Sequence, residues 1–250
     1  MRLPTVQGVI ERRMLVNFRA DPVAVSRILP PPFEPVIVNG HAIVGICLIR
    51  LSGVRPAFFP ALLPDNCGFR SENAAHRIAV RWRDNDRSKE GVYIPRRDSS
   101  SRLNALVGGR LFPGLHHPAT FRVAEEADRY EIRMESRDGA AGVEVRGTRT
   151  SAWPAISVFE DLAAASAFFQ RGSLGYSATK KAGTYDGLEL RCREWSIEPV
   201  EVESARSTYF ENAAVFPPGS VQFDCALVMR NIAHEWHGRG QMCCEEASAA

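Results

Sequence analysis

Two adjacent lysines, Lys180-Lys181, are the residues of this 250-residue chain whose type and spacing first suggest chemistry. Neighbouring ammonium groups in an apolar pocket depress each other's pKa and free a neutral amine for attack on a carbonyl. The pair lies within the polar stretch Ser177–Gly183, however, where two lysines are ordinarily solvated. His116-His117 offers an acid, a base or a ligand near neutral pH. On a strand the two rings face opposite sides, so only one can enter an interior. His234-Glu235-Trp236-His237 has zinc-binding residue types without the His-Glu-x-x-His spacing, and no third ligand is near in sequence. The sequence therefore assigns no metal and no cofactor. Asp65, Glu72 and Asp98 supply carboxylates that a fold can bring together. Gly172–Gly175 lacks the strand-to-helix setting of a nucleotide loop, and no Gly-x-Ser-x-Gly elbow marks a serine hydrolase.

The elements that must position such groups read mostly as strands. Apolar and polar residues alternate over short runs bounded by Gly, Pro, Asp or Asn. Those runs are Gly8–Phe18, His41–Leu51, Ala74–Arg83, Gly91–Arg97, Ala119–Ala124, Tyr130–Arg137, Gly142–Thr150, Leu188–Glu194, Val200–Phe210 and Val221–Ile232. Asp138-Gly139 marks an exposed hairpin, since both turn positions tolerate positive φ. Three helices are expected. Asp21-Pro22 opens a short one that Pro30-Pro31-Pro32 ends. Ser157-Val158-Phe159-Glu160 has the pattern of a capping box for a helix through Gln170, with Gly172 at its end. Asp98-Ser99-Ser100-Ser101 can cap a third, running toward Val107. Many strands, short turns and few helices predict a mainly β fold, a large antiparallel sheet curled into a partly closed barrel or cone with outer helices. Residues 6–237 read as a single domain and 238–250 as a mobile tail.

Composition narrows the function classes. Hydrophobic residues make up 45% and charged residues 24%, a globular balance. A net charge of +2 gives no electrostatic case for nucleic acid or an anionic membrane. The basic residues include only three lysines, Lys89, Lys180 and Lys181, an arginine bias that fits a GC-rich bacterial genome. Residues 1–19 carry Glu11, Arg12, Arg13 and Arg19 and so lack the apolar run of a signal peptide. Cys47, Cys67, Cys192, Cys225, Cys243 and Cys244 show no Cys-x-x-Cys spacing. Reduced thiols in the cytoplasm are the expectation, with Cys47 and Cys225 as small core residues.

Three motifs carry a resemblance: Gly68-Phe69-Arg70-Ser71-Glu72-Asn73, then Glu90-Gly91-Val92-Tyr93-Ile94-Pro95, then Gly108-Gly109-Arg110-Leu111-Phe112-Pro113-Gly114-Leu115. Together they resemble the central segment of the acetoacetate decarboxylase-like superfamily, and in particular an uncharacterised bacterial family within it. Asn39-Gly40-His41-Ala42, Gly172-Ser173-Leu174-Gly175-Tyr176-Ser177, Asp186-Gly187-Leu188-Glu189-Leu190 and Phe216-Pro217-Pro218-Gly219-Ser220 extend the likeness over roughly Val6 to Trp236. The resemblance implies an antiparallel β cone with a closed central cavity. By the Phe-Pro anchor the superfamily's Schiff-base lysine and its neighbour fall at Gly114 and Leu115, neither of which can form an imine. Its cavity glutamate is similar in placement to Glu72, and its Gly-Arg pair resembles Gly109-Arg110.

The expected function is a cavity for a small organic acid or ketone, without imine catalysis. Glu72 and His116 would move protons, while Arg110 and Tyr93 would bind substrate, the arginine through its carboxylate. A buried Glu72–Arg110 ion pair that only fixes the fold is the competing reading of those two. The rival function is a non-catalytic carrier of a hydrophobic small molecule. Either way the partner is a small molecule and neither nucleic acid nor a membrane; a homo-oligomer is compatible with both.

Overall fold

In the computed structural model, residues 5–57, 69–101 and 114–243 are described. Long strands dominate: β1 (Val6–Ala20), β4 (His41–Pro56), β5 (Phe69–Asp84), β6 (Arg87–Ser99) and β13 (Val221–Cys243). Around them lie the short β2 (Glu34–Pro35) and β3 (Ile37–Val38), then β7 (His116–Glu126), β8 (Arg129–Ser136), β9 (Gly142–Arg149), β10 (Leu174–Ala178), β11 (Thr184–Cys192) and β12 (Glu198–Ser207). The helices are α1 (Pro22–Ile28) and α2 (Leu162–Arg171). Among the described residues no helix is long and apolar enough to cross a membrane.

All thirteen strands join one sheet. Its spine is β13-β1-β4-β5-β6, antiparallel throughout. One edge of β6 is shared by β10 and β7, both of which run parallel to it. The sheet is thus the expected large, mainly antiparallel one, made mixed by these two parallel pairings at β6. Parallel neighbours cannot be joined by a tight hairpin turn: β7 is the next strand in the chain, whereas β10 comes from much later in it. The β10–β11 hairpin then pairs with β13 and closes a ring, β13-β1-β4-β5-β6-β10-β11.

Turn chemistry explains the hairpins. Gly139 has φ +71°, and Asn85 and Asp86 between β5 and β6 have φ +46° and +64°, the left-handed conformation Asn and Asp tolerate. The β8–β9 hairpin puts Glu131, Arg133, Glu144 and Arg146 on one face as ion pairs. Its other face buries Ile132, Met134, Val143 and Val145.

Each face of the spine has its own apolar cluster. Met14, Val16, Ile46, Leu48, Ile78 and Tyr93 belong to one, with β7–β9 and the Phe210–Phe216 segment over them. Leu15, Ile43, Ile49, Leu51, Leu227 and Met229 belong to the other, with Ala165 and Phe169 of α2 packed on them. Period-two alternation along each strand sends neighbours to opposite clusters.

Three local expectations change. Asp161, not Ser157, caps α2, accepting from the Ala164 amide at 2.7 Å. Ser157 instead donates to the buried Asp224 carboxylate at 2.8 Å, which also holds the Val158 amide, so its hydroxyl is committed before the helix begins. Asp98 and Ser99 end β6 rather than open a helix, and the continuation toward Val107 lies outside the described residues. Residues 238–243 are strand, because β11 offers them a free edge: Thr184 pairs with Cys243 and Leu188 with Gly238. Residues 244–250 lie outside the described part.

Candidate functional site

Cross-strand register assembles a row of side chains on the inner face of the ring. Leu15, Cys47, Ala75, Arg97 and His116 are successive partners across β1, β4, β5, β6 and β7. Directly opposite residues share a face, and strands lie about 4.8 Å apart. The next row holds Arg13, Ile49, Asn73 and Ser99. On the other flank Gly45 pairs with Arg77. A Cβ at Gly45 would stand 2.5 Å from the Val16 carbonyl oxygen, so glycine permits this close approach of β4 to β1.

These rows bound a hollow of about 120 Å³. Every strand of the ring contributes to its wall: Arg13, Cys47, Arg77, Arg97, Gly175, Leu190 and Trp236 come from the seven in turn. His116 and the Gly172-Ser173 end of α2 complete it. Aliphatic side chains form the largest group in the lining, including Ile49, Leu51, Val92, Ile94 and Leu188.

The polar part of the wall is cationic. Arg13 and Arg77 are each only 7% exposed. Arg13 stacks over Trp195 and directs one guanidinium N–H at the Met229 sulfur, 3.9 Å away. Arg77 donates to Asn17 Oδ1 and lies over the Phe169 ring at 4.9 Å. Arg97 donates to Ser177 Oγ at 3.0 Å. Among the described residues none of the three pairs with a carboxylate, and the Nε of Arg13 and of Arg77 is buried without a hydrogen-bond partner. Burial pulls Arg77 down to about 10, with Arg13 adding repulsion, and burial likewise pulls Arg97 to about 10. Arg77 and Arg97 therefore stay cationic at pH 7. Asp98, the carboxylate on the wall, is fully buried and held by two guanidinium nitrogens of Arg96, so its charge is already neutralised.

The residues anticipated from sequence separate. His116 lines the hollow. Arg110 lies outside the described residues. Tyr93 faces the opposite cluster, stacked with Phe33 and Tyr185, because its neighbours Val92 and Ile94 take the inner face. Burial pushes its phenol pKa up. Glu72 also points away from the hollow. It pairs with Arg12 at 2.6 Å and with Arg50 at 2.5 Å, and both arginines also pair with Glu125. Its neighbour Asn73 is the one on the wall.

Other candidate chemistry is closed off. Every lysine of the chain is exposed: Lys89 pairs with Asp84, and Lys180 and Lys181 sit in the turn between β10 and β11. His237 bonds Glu235, while His234 is buried against Trp236. No group of three metal-ligating side chains occurs among the described residues. Ser207, His76 and Asp98 stand in the order of a hydrolase relay. The His76 Nδ1 to Asp98 distance is 4.0 Å, however, and all three are at most 1% exposed.

The overall fold is shared with known proteins. The chain belongs to the DUF2071 family. That family, described as an uncharacterized conserved protein, matches residues 9–227. The chain is similar to acetoacetate decarboxylase from Legionella pneumophila, with TM-score 0.59, 12% identity, and coverage of 99% of this chain and 90% of that one. An acetoacetate decarboxylase-like enzyme from Sphingomonas wittichii RW1 is similar to the same degree, TM-score 0.59 and 12% identity over 98% and 94% of the chains. The enduracididine biosynthesis enzyme MppR, complexed with pyruvate, matches with TM-score 0.55 and 13% identity over 99% and 93%. No curated relative matches the chain in sequence. The fold of this DUF2071 member is thus acetoacetate decarboxylase-like.

Sequence reasoning missed Arg13, Arg77, Arg97 and Cys47. The three arginines lie within runs read only as alternating strands, and Cys47 in an apolar run read as core. Their shared inner face was written in the alternation, but not that this face borders a hollow.

Proposed function

We propose that the interior of the ring binds a small organic acid, with its carboxylate held by Arg13, Arg77 and Arg97, and that any reaction there proceeds without an imine. The observation that carries this reading is the set of three cationic side chains on one wall with no carboxylate partner among the described residues. Uncompensated buried charge is costly, and a ligand anion supplies the missing counter-charge through paired N–H donors. The aliphatic remainder of the wall suits a short apolar body rather than a sugar or nucleotide. His116 stands where it can exchange a proton with the bound acid. The pyruvate bound by MppR is a ligand of the same chemical size and charge.

The test is calorimetric titration of the protein with pyruvate and acetoacetate beside acetone and pyruvamide, neutral molecules of similar size. Binding of the acids alone, weakened as salt rises, is expected. Arg13→Met should weaken it at least tenfold while raising the unfolding free energy of the ligand-free protein by about 1 kcal/mol, since an unpaired buried cation has been replaced by an apolar chain. Equal binding of acids and neutral analogues would instead identify a carrier of hydrophobic molecules and overturn the carboxylate reading.

A further inference from the structure

Cys47 sits at the centre of the cationic wall. Arg97 shares its cross-strand row, with only the methyl of Ala75 between them. Arg13 and Arg77 are its diagonal neighbours on β1 and β5, two residues from its direct partners Leu15 and Ala75. Side chains in such diagonal positions lie within reach of long residues. Cys47 is a free thiol, partly exposed, and lines the hollow itself. It is close enough to interact electrostatically with Arg77 and Arg97. Reactive cysteines sit in partly exposed, electropositive surroundings, whereas buried structural ones are inert. The buried Arg13, its Nε without a partner, gives the independent sign that this wall awaits an anion.

We propose that Cys47 is the nucleophile of this site, reacting with small carboxylates that carry an electrophilic carbon close to the carboxylate. The proposal rests on the carboxylate reading above and adds a covalent step to it. With a 2-oxo acid the Cys47 sulfur adds to the carbonyl carbon, and the carbonyl electron pair moves to oxygen. That oxygen takes up the proton the thiol gives up. The product is a reversible thiohemiketal, with nothing oxidised or reduced. With a haloacetate a sulfur–carbon bond forms, the carbon–halogen bond breaks, halide leaves, and the thiol proton goes to solvent. In either case the arginines seat the carboxylate beside the sulfur.

Iodoacetate and iodoacetamide isolate that seating, being alike in size and leaving group but different in charge. The protein is treated with each, and alkylation of every cysteine is followed by peptide mapping, with free cysteine in the same buffer as the reference. At Cys47 iodoacetate is expected to react at least tenfold faster, relative to iodoacetamide, than it does at free cysteine. The exposed Cys243 should match the reference. Arg97→Met should abolish the preference. Should that variant not fold, raising the salt from 20 to 500 mM serves on the unmodified chain, and must slow iodoacetate at Cys47 while leaving iodoacetamide unchanged. A reagent ratio at Cys47 equal to the reference, or one indifferent to both the variant and salt, overturns the proposal. If pyruvate binds in calorimetry and the ratio is ordinary, only the nucleophile is refuted; if no carboxylate binds, the reading beneath it falls too.

Discussion

Glu72 and Asn73 are consecutive on β5 and face opposite sides of the sheet: Glu72 joins Arg12, Arg50 and Glu125, whereas Asn73 lines the hollow. The Glu72 row, Arg12–Arg50–Glu72, is one register step from the row Arg13–Ile49–Asn73. A single residue of parity thus separates an ion-pair network from the wall of the candidate site.

Glu72→Gln should therefore act on stability and leave ligand binding alone. Arg12 is 1% exposed, and removing one carboxylate leaves Glu125 to serve both arginines. Breaking a buried pair outright costs 3–5 kcal/mol, so with half the counter-charge retained the loss should be about 2 kcal/mol. Urea unfolding measures it. Carboxylate affinity should stay within twofold; a tenfold loss of affinity with unchanged stability would return Glu72 to the site.

Stability should also fall with acid before the carboxylates titrate. Burial holds His76 near 3, helped by repulsion from Arg96, and burial holds His234 near 4. Both lie below the ordinary imidazole value of about 6.5, so the unfolded chain takes up protons that the folded one refuses. The stability they contribute is complete above pH 6.5 and is lost as pH falls from 6.5 toward 4 and 3. Each ring costs about 1.4 kcal/mol per pH unit in that window. Asp138, whose pKa is lowered with help from Ser136, the Ala140 amide and Arg96, adds its own loss only below the usual carboxylate range. The slope of unfolding free energy against pH between 6 and 4.5 should be halved in His234→Phe, which keeps an aromatic ring against Trp236. An unchanged slope would show that His234 charges freely in the folded protein.

How much of this was legible in the sequence differs by feature. Local chemistry was readable: Asp21 caps α1 by accepting from Val23 at 2.7 Å, and Asp138-Gly139 turns the β8–β9 hairpin. Those signals act within a few residues and need no tertiary partner. The parallel pairing of β10 and β7 with β6 was not readable, because parallel strands are not joined by a tight turn and so leave no local signal. Nor was the site. Alternation fixes that Cys47 and Ile49 share a face, whereas ring closure by β10 and β11 decides that the face borders a hollow. The likeness over Glu72 found the right stretch of β5, but side-chain parity within that stretch is a matter of register.

The last prediction concerns the reaction the fold's relatives suggest. Decarboxylation of acetoacetate through an imine needs an amine that is neutral at pH 7 and an iminium to accept the electrons left by departing carbon dioxide. An amine reaches that state when desolvation and a nearby cation disfavour its ammonium form. The hollow has cations, but they are guanidiniums, and no lysine lines it. Lys89 is held by Asp84 on the surface, and Lys180 and Lys181 are both exposed to water. An exposed pair is solvated and screened, and neither lysine lines the hollow. Incubation with acetoacetate and borohydride should leave the intact mass unchanged, even where calorimetry shows acetoacetate bound. A stoichiometric reduced adduct, mapped to Lys180 or Lys181 and lost in the Lys→Ala variants, would falsify this and require the β10–β11 turn to fold into the site.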